Sequence, residues 1–182
     1  MGMSALQTGL LTVEEFLRLP DPPEGHYELH HGEVVAMPPP KSGHQRIEDR
    51  LQMLLKRMLG EDYAVRMEMA FRPTPEHEVW VADVGCVTVG RDDATAADDY
   101  LMGAPEVVIE VLSPSNTVDE INDKMLICMS NGCNSFWIVD PKHQVVSVTH
   151  CAVTTHYGVE ATIVNSSPFM EVKVGEILGS QS

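Results

Sequence analysis

The sequence is poor in basic residues. It has 12 Lys and Arg against 27 Asp and Glu among its 182 residues, which gives a formal net charge of −15. Because phosphate binding depends mainly on counterion release driven by Lys and Arg, this balance argues against broad, non-specific affinity for nucleic acid. Seven of the 12 basic residues nevertheless fall within Lys41–Arg72, where Arg46, Arg50 and Arg57 recur at helical spacing. This stripe indicates either a basic surface or a solvated helix face balanced by Glu48 and Asp49, and we favour the second.

The sequence also lacks any apolar run close to the roughly 18 residues that a membrane-spanning helix needs. The segment Met1–Leu10 has no basic stretch followed by an apolar one, so it does not resemble a secretory signal. We therefore expect no membrane partner and a cytoplasmic location.

Cysteine is scarce as well, with four residues: Cys86, Cys128, Cys133 and Cys151. Nothing in the sequence suggests export, and a core of this size needs no disulfides. Cys128 and Cys133 are not separated by the two-residue spacer of a structural zinc site, and no pair of histidines lies at ligand spacing nearby. We expect free, mostly buried thiols.

Length and composition predict one globular domain over residues 1–182, since 43% of the residues are hydrophobic and 21% are charged. At the N-terminal side, Thr12–Glu15 has the pattern of a capping box and predicts a short helix that ends before Pro20. A β-hairpin follows, in which Tyr27–His30 and Glu33–Met37 flank the two-residue turn His31-Gly32.

The central part of the chain predicts one long helix and three strands. Apolar residues at intervals of three and four predict a helix over Gly43–Leu59, with Ser42 as its N-cap. Alternation predicts a half-buried strand over Val65–Arg72, and Val79–Val89 is apolar on both faces. An acidic, turn-rich loop over Gly90–Gly103 leads to Pro105–Pro114, which contains a short strand buried on both sides.

The rest of the chain predicts a second helix and an antiparallel extension. Thr117–Glu120 is again a capping box, and it starts a helix that ends at Gly132. Ser135–Asp140 follows as a strand, with further strands over Val145–His150 and Ala161–Val164. We expect a mixed α/β fold.

Two carboxylates interrupt the central strands. Asp83 lies within the apolar strand Val79–Val89, and Glu110 lies within Val107–Leu112. A buried carboxylate is costly unless it is neutral, paired, hydrogen-bonded or bound to a metal. Two such residues in consecutive core strands predict either one shared metal pocket or separate carboxylates at strand ends, each wetted or bonded to an arginine. Oxygen ligands of this kind suit Mg²⁺ or Mn²⁺.

These residues carry a resemblance to a known fold and family. The order of helix, three strands, helix and strand over residues 43–141, with an acid in the second strand and Glu in the third, resembles the core of PD-(D/E)XK nucleases. Individual motifs resemble the Uma-two family of restriction-endonuclease-like proteins: Tyr27-Glu-Leu-His-His-Gly-Glu33, Gly43-His-Gln-Arg46, Ala82-Asp83, Pro105-Glu-Val-Val-Ile-Glu-Val-Leu-Ser-Pro-Ser115, Asp123-Lys124 and Phe136-Trp-Ile-Val-Asp-Pro141.

The sequence departs from the superfamily pattern at two positions. Ala82 stands where a proline usually precedes the motif aspartate, which affects local backbone stiffness. Leu112 stands where a lysine is expected two residues after the motif glutamate. In this family the lysine lies in the following helix, and Lys124 occupies that position. The resemblance implies that Asp83 and Glu110 bind a metal and that Lys124 acts beside them.

Further candidates are ranked below these three. Glu120 lies four residues before Lys124 and shares its helical face, which fits either a site role or a surface ion pair. Glu28, in a motif that resembles the family's, is either a third acid or a solvent-facing residue of the hairpin. His44 and Gln45 begin the first core helix, where capping or exposure is the simpler interpretation.

The sequence therefore favours a metal-dependent endonuclease that hydrolyses DNA. The alternative is a binding or assembly module that keeps the fold without catalysis, which the acidity and the absent lysine after Glu110 both favour. A nucleotide or phosphate-ester hydrolase with a closed pocket is a third class. The exposed sheet edges of the hairpin and the tail also suggest a homodimer.

Overall fold

The computed structural model of the protein describes residues 9–114, 116–164 and 171–179. Its helices are α1 (Val13–Phe16), α2 (Ser42–Leu59), α3 (Val89–Ala94), α4 (Val118–Ser130) and α5 (Val174–Leu178). Its strands are β1 (His26–His30), β2 (Glu33–Met37), β3 (Tyr63–Arg72), β4 (Trp80–Thr88), β5 (Leu101–Met102), β6 (Val107–Val111), β7 (Ser135–Asp140), β8 (Val145–His150), β9 (Val153–Gly158), β10 (Thr162–Val164) and β11 (Glu171–Lys173). Residues 1–8 and Ser115, which figured in the sequence interpretation, lie outside the described ranges.

Seven strands form the main sheet, in the order β5-β3-β4-β6-β7-β8-β9. β6 pairs with β7 in parallel, because α4 crosses over between them, and β3 also pairs with β5 in parallel. The other neighbours in this sheet are antiparallel. The predicted mixed α/β fold is confirmed, including the core order of helix, three strands, helix and strand.

The two long helices cover opposite faces of this sheet. Leu51 and Leu55 of α2 are fully buried and belong to a core cluster with Ile109 of β6. On the other face, Ile121 and Cys128 of α4 join a second cluster. None of the helices in the described part of the chain is long and apolar enough to cross a membrane.

In strands β3 and β4, the alternation of side chains between the two faces of the sheet shifts by one residue at a single position. Alternate residues of a strand normally lie on one face, yet Ala82 belongs to the cluster under α4 and Val84 to the cluster under α2. Asp83 lies between them. The partner strand changes in the same way on either side of Glu68, since Met67 packs with the α2 cluster and Met69 with the α4 cluster. Both strands therefore rotate at a single line across the sheet.

Glu68 has the backbone conformation that accompanies this rotation. Its φ is 48°, in the left-handed region that side-chain-bearing residues seldom adopt. The ladder pairs flanking it are Met67 with Val84 and Met69 with Ala82, and Glu68 and Asp83 stand opposite each other between them. Such conformations cost about 1–3 kcal/mol and concentrate at functional sites. This line of the sheet is therefore a candidate position for the functional site.

The N-terminal hairpin matches its prediction. β1 and β2 pair in the expected register, and both turn residues have positive φ, 52° at His31 and 80° at Gly32. Leu29 exchanges two backbone hydrogen bonds with Val79, of 2.8 and 2.9 Å. These bonds fix the hairpin beside the start of β4. Both predicted capping boxes, at α1 and α4, are also present.

Three sequence predictions are wrong. Ser42 is the first residue of α2 rather than its N-cap, which is Lys41 and makes no side-chain capping bond. The predicted loop Gly90–Gly103 contains α3 and β5, held together by Arg91, which donates to the carbonyls of Met102 and Ala104. Strand β9 was missed because the turn before it, at Cys151 and Ala152, has positive φ without Gly or Asn.

The cysteines are free, as predicted. Cys86, Cys128 and Cys133 are buried, and Cys151 is exposed.

Candidate functional site

A cavity of about 660 Å³ opens beside the line at which β3 and β4 rotate, and Glu68 and Asp83 both line it. Its walls come from the end of the hairpin, the first turns of α2, the ends of β4 and β6, and α4. The polar residues that line it are His26, Glu28, Lys41, His44, Glu68, Asp83, Glu110, Ser113, Asn116 and Lys124.

Asp83 and Glu110 both reach this cavity because β4 and β6 separate there. The last ladder pair of these strands is Val84 with Ile109, so Asp83 and Glu110 are the next residues along the same register. Asp83 Oδ2 accepts the backbone N–H of Val111 at 2.6 Å. A side chain thus replaces the backbone acceptor that the neighbouring strand would otherwise provide.

Lys124 fills the gap between the separated strands. Its Nζ donates to the carbonyl oxygen of Val81 at 2.6 Å and lies 2.8 Å from Glu110 Oε1. Both side chains of the ion pair are less than a tenth exposed, at 7% and 8%. Lys124 Nζ also lies 5.8 Å from the centre of the Trp80 ring. The lysine of α4 therefore reaches the carboxylate that a strand lysine would have met.

Burial sets the charge balance of this pair. Burial raises the pKa of Glu110 to about 8 and is only partly offset by Lys124, because Asp83 and Glu28 add further negative charge. Burial opposes the charged form of Lys124, but Glu110 and Glu28 outweigh it and raise the pKa of the ammonium. One buried cation is therefore shared by more acids than it can neutralise.

A second group of ligand atoms surrounds Asp83. His44 Nε2 lies 3.1 Å from Asp83 Oδ2 and 3.2 Å from Glu48 Oε1, and one ligand atom from each of the three residues falls within 4.8 Å of the others. His44 and Glu48 are one turn apart on α2, so both face the sheet. Burial opposes protonation of His44, but hydrogen bonds to Asp83 and Glu48 raise its pKa to about 10.

These residues fit a divalent cation. Glu48 Oε1 and Glu110 Oε1 are buried atoms without a well-directed hydrogen bond, although His44 and Lys124 respectively lie near them as ion partners. Buried carboxylate oxygens usually find donors or a metal. Carboxylates suit Mg²⁺ and Mn²⁺, and the imidazole of His44 favours a transition ion such as Mn²⁺. Asp83 and Glu110 reach one cavity, and the group of His44, Glu48 and Asp83 at its wall offers ligand atoms for a metal ion.

Glu68 adds a further acid that the sequence did not reveal. Burial, together with the nearby negative charges of Glu48 and Asp83, raises its pKa to about 7. In the sequence, Glu68 is one of the polar residues that alternate with apolar ones along β3, which is typical of a solvated strand face. Glu48 was similarly interpreted as part of a solvated helix face, but it is 3% exposed. The strand rotation places Glu68 in the cavity wall, and α2 places Glu48 next to His44 and Asp83.

Glu28 is buried rather than solvent-facing, with 2% of its surface exposed. Its carboxylate lies 2.6 Å from His30 Nε2 and 3.3 Å from His26 Nε2. The ring of His30 stacks on Trp80 with centroids 3.7 Å apart. Burial raises the pKa of Glu28, but Lys124 and the two histidines outweigh it and hold the pKa at about 2.

We expect this depressed pKa to make stability depend on acid pH. The folded pKa of Glu28 lies below its ordinary value of 4.5, so the stabilisation is present above pH 4.5 and is lost as the pH falls towards 2. The expected loss is about 3 kcal/mol of unfolding free energy. Urea unfolding between these pH values measures it. Glu28→Gln should lack this part of the dependence of the unfolding free energy on pH, whereas the exposed Glu33→Gln should keep it. Parallel plots of unfolding free energy against pH for Glu28→Gln and the unmodified chain would contradict the assignment.

Glu120, unlike the other predicted site residues, does not line the main cavity. Its carboxylate accepts from the backbone N–H of Thr117 at 2.9 Å and from its hydroxyl at 2.8 Å, which completes the capping box of α4. It lines a smaller cavity of about 190 Å³ that also contains Glu28, Glu110 and Lys124. Gln45, suggested with His44, is exposed and does not line the main cavity.

The basic stripe of α2 is partly occupied by the C-terminal helix. Arg50 donates to the carbonyl oxygen of Leu178 at 2.8 Å, and Arg57 lies 3.2 Å from Glu176. Arg46, nearest the cavity, is exposed. The stripe is therefore neither a continuous nucleic-acid surface nor a fully solvated face, because α5 covers part of it.

Comparison with known proteins agrees with this architecture. The chain is similar to a crystal structure from Anabaena variabilis described as "a putative nuclease belonging to DUF820", with a TM-score of 0.77 and 20% sequence identity. The similarity covers 92% of this chain and 97% of the other, and at this identity it shows the fold. No curated protein matches the sequence. The family described as "Putative restriction endonuclease" matches residues 13–171, and the chain therefore belongs to this family, Uma2.

Proposed function

We propose that the chain is a metal-dependent endonuclease that hydrolyses phosphodiester bonds of DNA. The observation that carries the proposal is one cavity lined by Asp83, Glu110 and Lys124, in which a buried oxygen of Glu110 lacks a well-directed donor. Membership of the restriction-endonuclease-like family supports the same reaction class. We propose Mg²⁺ or Mn²⁺ as the cofactor, held by Asp83 with Glu110 or with His44 and Glu48.

The roles of the residues follow from their charges. A divalent cation in this cavity supplies Lewis acidity, which makes water a better nucleophile at neutral pH and neutralises charge on the phosphate. Lys124 stabilises the additional negative charge of the transition state, since its ammonium is buried and already oriented by Val81 and Glu110. Glu28 keeps Lys124 protonated. Glu120 is assigned to capping of α4, because its carboxylate already accepts two hydrogen bonds there.

A plasmid-nicking assay tests this function. With Mg²⁺ or Mn²⁺ we expect supercoiled DNA to be converted to open circles, and we expect chelation by EDTA to abolish the conversion. Isothermal titration with MnCl₂ measures whether the ion binds at all. Binding of the ion without any nicking would favour the alternative, a non-catalytic binding or assembly module, to which the net charge of −15 and Leu112 in place of a lysine also point.

We also propose that the protein is a single domain that forms a cytoplasmic homodimer. The two core clusters share one sheet, and the four free thiols suit a reducing compartment. At the edge of the main sheet, β9 has mostly exposed residues and none of the charged side chains that usually protect an edge. Antiparallel pairing of two β9 strands about a two-fold axis would cover both edges.

Light scattering during gel filtration checks the dimer. The unmodified chain is expected at twice the mass of the monomer, and Thr155→Lys in the centre of β9 is expected to give the monomer. A monomeric mass for the unmodified chain, or an unchanged mass for the variant, would exclude pairing through β9.

A further inference from the structure

The reacting groups of the cavity are difficult for a DNA duplex to reach. Glu110 and Lys124 are 6% exposed, and Glu28 is 2% exposed. They lie in a cavity of about 660 Å³, within the range of roughly 300–1,000 Å³ that encloses small molecules. A base-paired helix keeps its phosphates on a wide and stiff cylinder, so those phosphates stay outside a pocket of this size.

The charges around the cavity also disfavour a duplex. A duplex carries about one negative charge per 1.7 Å and is held mainly by Lys and Arg. Among the residues that line the cavity, the only Lys or Arg side chains are Lys41 and Lys124, and Lys124 is neutralised by Glu110. On the nearby helix α2, Arg50 and Arg57 are engaged by the C-terminal helix. Lys41 and the exposed Arg46 remain, and two cations are too few for a long row of phosphates.

The cavity instead offers an apolar wall. This wall consists of Met37, Pro38, Pro39, Leu112 and Pro114, all of which line the cavity. Pro38, Pro39 and Pro114 are exposed, and Met37 and Leu112 are half-buried. Apolar and aromatic surfaces beside a reacting centre suit the faces of unpaired bases, which paired bases do not present.

A second, smaller cavity continues from the first. Its volume is about 190 Å³, and the two cavities share Glu110 and Lys124 as well as Met37 and Pro38 of the apolar wall. Glu110 and Lys124 therefore lie where the cavities meet. A flexible strand that occupies both would bring the phosphate between two nucleotides beside Lys124.

From these observations we infer the substrate class, an inference that rests on the proposed function: the site acts on unpaired, single-stranded DNA, with bases held against the apolar wall. Continuous duplex is a poor substrate because its bases are stacked and its phosphates cannot enter. Duplexes are attacked where a strand is unpaired, at overhangs, flaps or melted regions. Nicking of supercoiled plasmid is consistent with this, since negative supercoiling promotes local melting.

The test compares one labelled strand in two forms, free and annealed to its complement, in the presence of MnCl₂. We expect kcat/KM to be at least about tenfold higher for the free strand, and cleavage of a partly annealed strand to fall in its overhang. Met37→Ser should raise KM for the free strand about tenfold with little change in kcat, since burial of one apolar side chain of this size contributes about 1.5–3 kcal/mol. The matched control is Met53→Ser, because Met53 is 71% exposed and lies outside both cavities.

The outcomes separate this inference from the proposed function. Equal or faster cleavage of the duplex overturns the inference and leaves the nuclease assignment intact. If neither form is cleaved, the nuclease assignment fails, and fluorescence anisotropy with an oligothymidylate of about eight nucleotides decides the substrate class. The inferred substrate class is supported if the free strand binds more tightly than its duplex and if Met37→Ser, but not Met53→Ser, weakens this binding. Equal or tighter binding of the duplex overturns it.

Discussion

Replacing Asp83 with Asn, or Glu110 with Gln, is expected to lower the rate of DNA cleavage by about three orders of magnitude or more. Each change removes one carboxyl group from the cavity that is proposed to bind the cation, and a loss of about 4 kcal/mol of transition-state stabilisation corresponds to about a thousandfold. Asn at position 83 still offers an oxygen to the N–H of Val111, so the strand ends should stay in place. Single-turnover cleavage of a labelled strand measures the rate.

Two controls make this result specific. Asp49→Asn removes an equivalent charge from an exposed position of α2 outside the cavity and should leave the rate unchanged. Titration with MnCl₂ should show weaker binding, by about tenfold or more, for Asp83→Asn. If both cavity variants cleave DNA as fast as the unmodified chain, neither acid takes part in the reaction and the nuclease assignment is wrong.

Replacing Lys124 with Met is expected to destabilise the fold by about 3–5 kcal/mol in addition to abolishing cleavage. The change leaves Glu110 and Glu28 buried without the cation that lies between them, and an uncompensated buried charge is among the most destabilising changes in a protein core. Chemical denaturation measures the unfolding free energy. The exposed Lys56→Met is the matched control, with an expected change within about 0.5 kcal/mol.

A double variant separates stability from catalysis. Lys124→Met combined with Glu110→Gln removes both charges of the ion pair and should recover most of the lost stability, because a buried pair contributes little net stability. Cleavage should not recover, since the ammonium and the carboxylate are both proposed to act in the reaction. A stable and active double variant would show that the pair is structural alone.

The lysine beside the motif glutamate can come from either of two elements, the same strand or the following helix. In the superfamily pattern the lysine follows the motif glutamate by two residues, and Leu112 stands there. Lys124 comes from α4 and still reaches within 2.8 Å of Glu110, because β6 and α4 are consecutive and α4 crosses over the end of the separated strands. The departure from the motif therefore does not leave the cavity without a cation.

Local patterns predicted most of the elements and two of the acids. The hydrophobic period of α2, the capping boxes at Thr12 and Thr117 and the turn His31-Gly32 each depend on residues close in the sequence, and the structure confirms them. The turn at Cys151 was missed because its backbone is held by the pairing of β8 with β9, not by a residue that favours it.

By itself, the sequence determined the mixed α/β fold, the membership of a nuclease-like family and the presence of carboxylates inside two core strands. Only the tertiary structure decided which groups surround them. Glu48 and Glu68 have the local patterns of solvated faces. Yet Glu48 lies in one group with His44 and Asp83, and the charges of Glu48 and Asp83 raise the pKa of Glu68. The reason is physical. These acids come together because of the register of β3, β4 and β6 and because β3 and β4 both rotate at Glu68 and Asp83. Register and rotation arise from pairing between distant segments, which no local spacing in the sequence specifies.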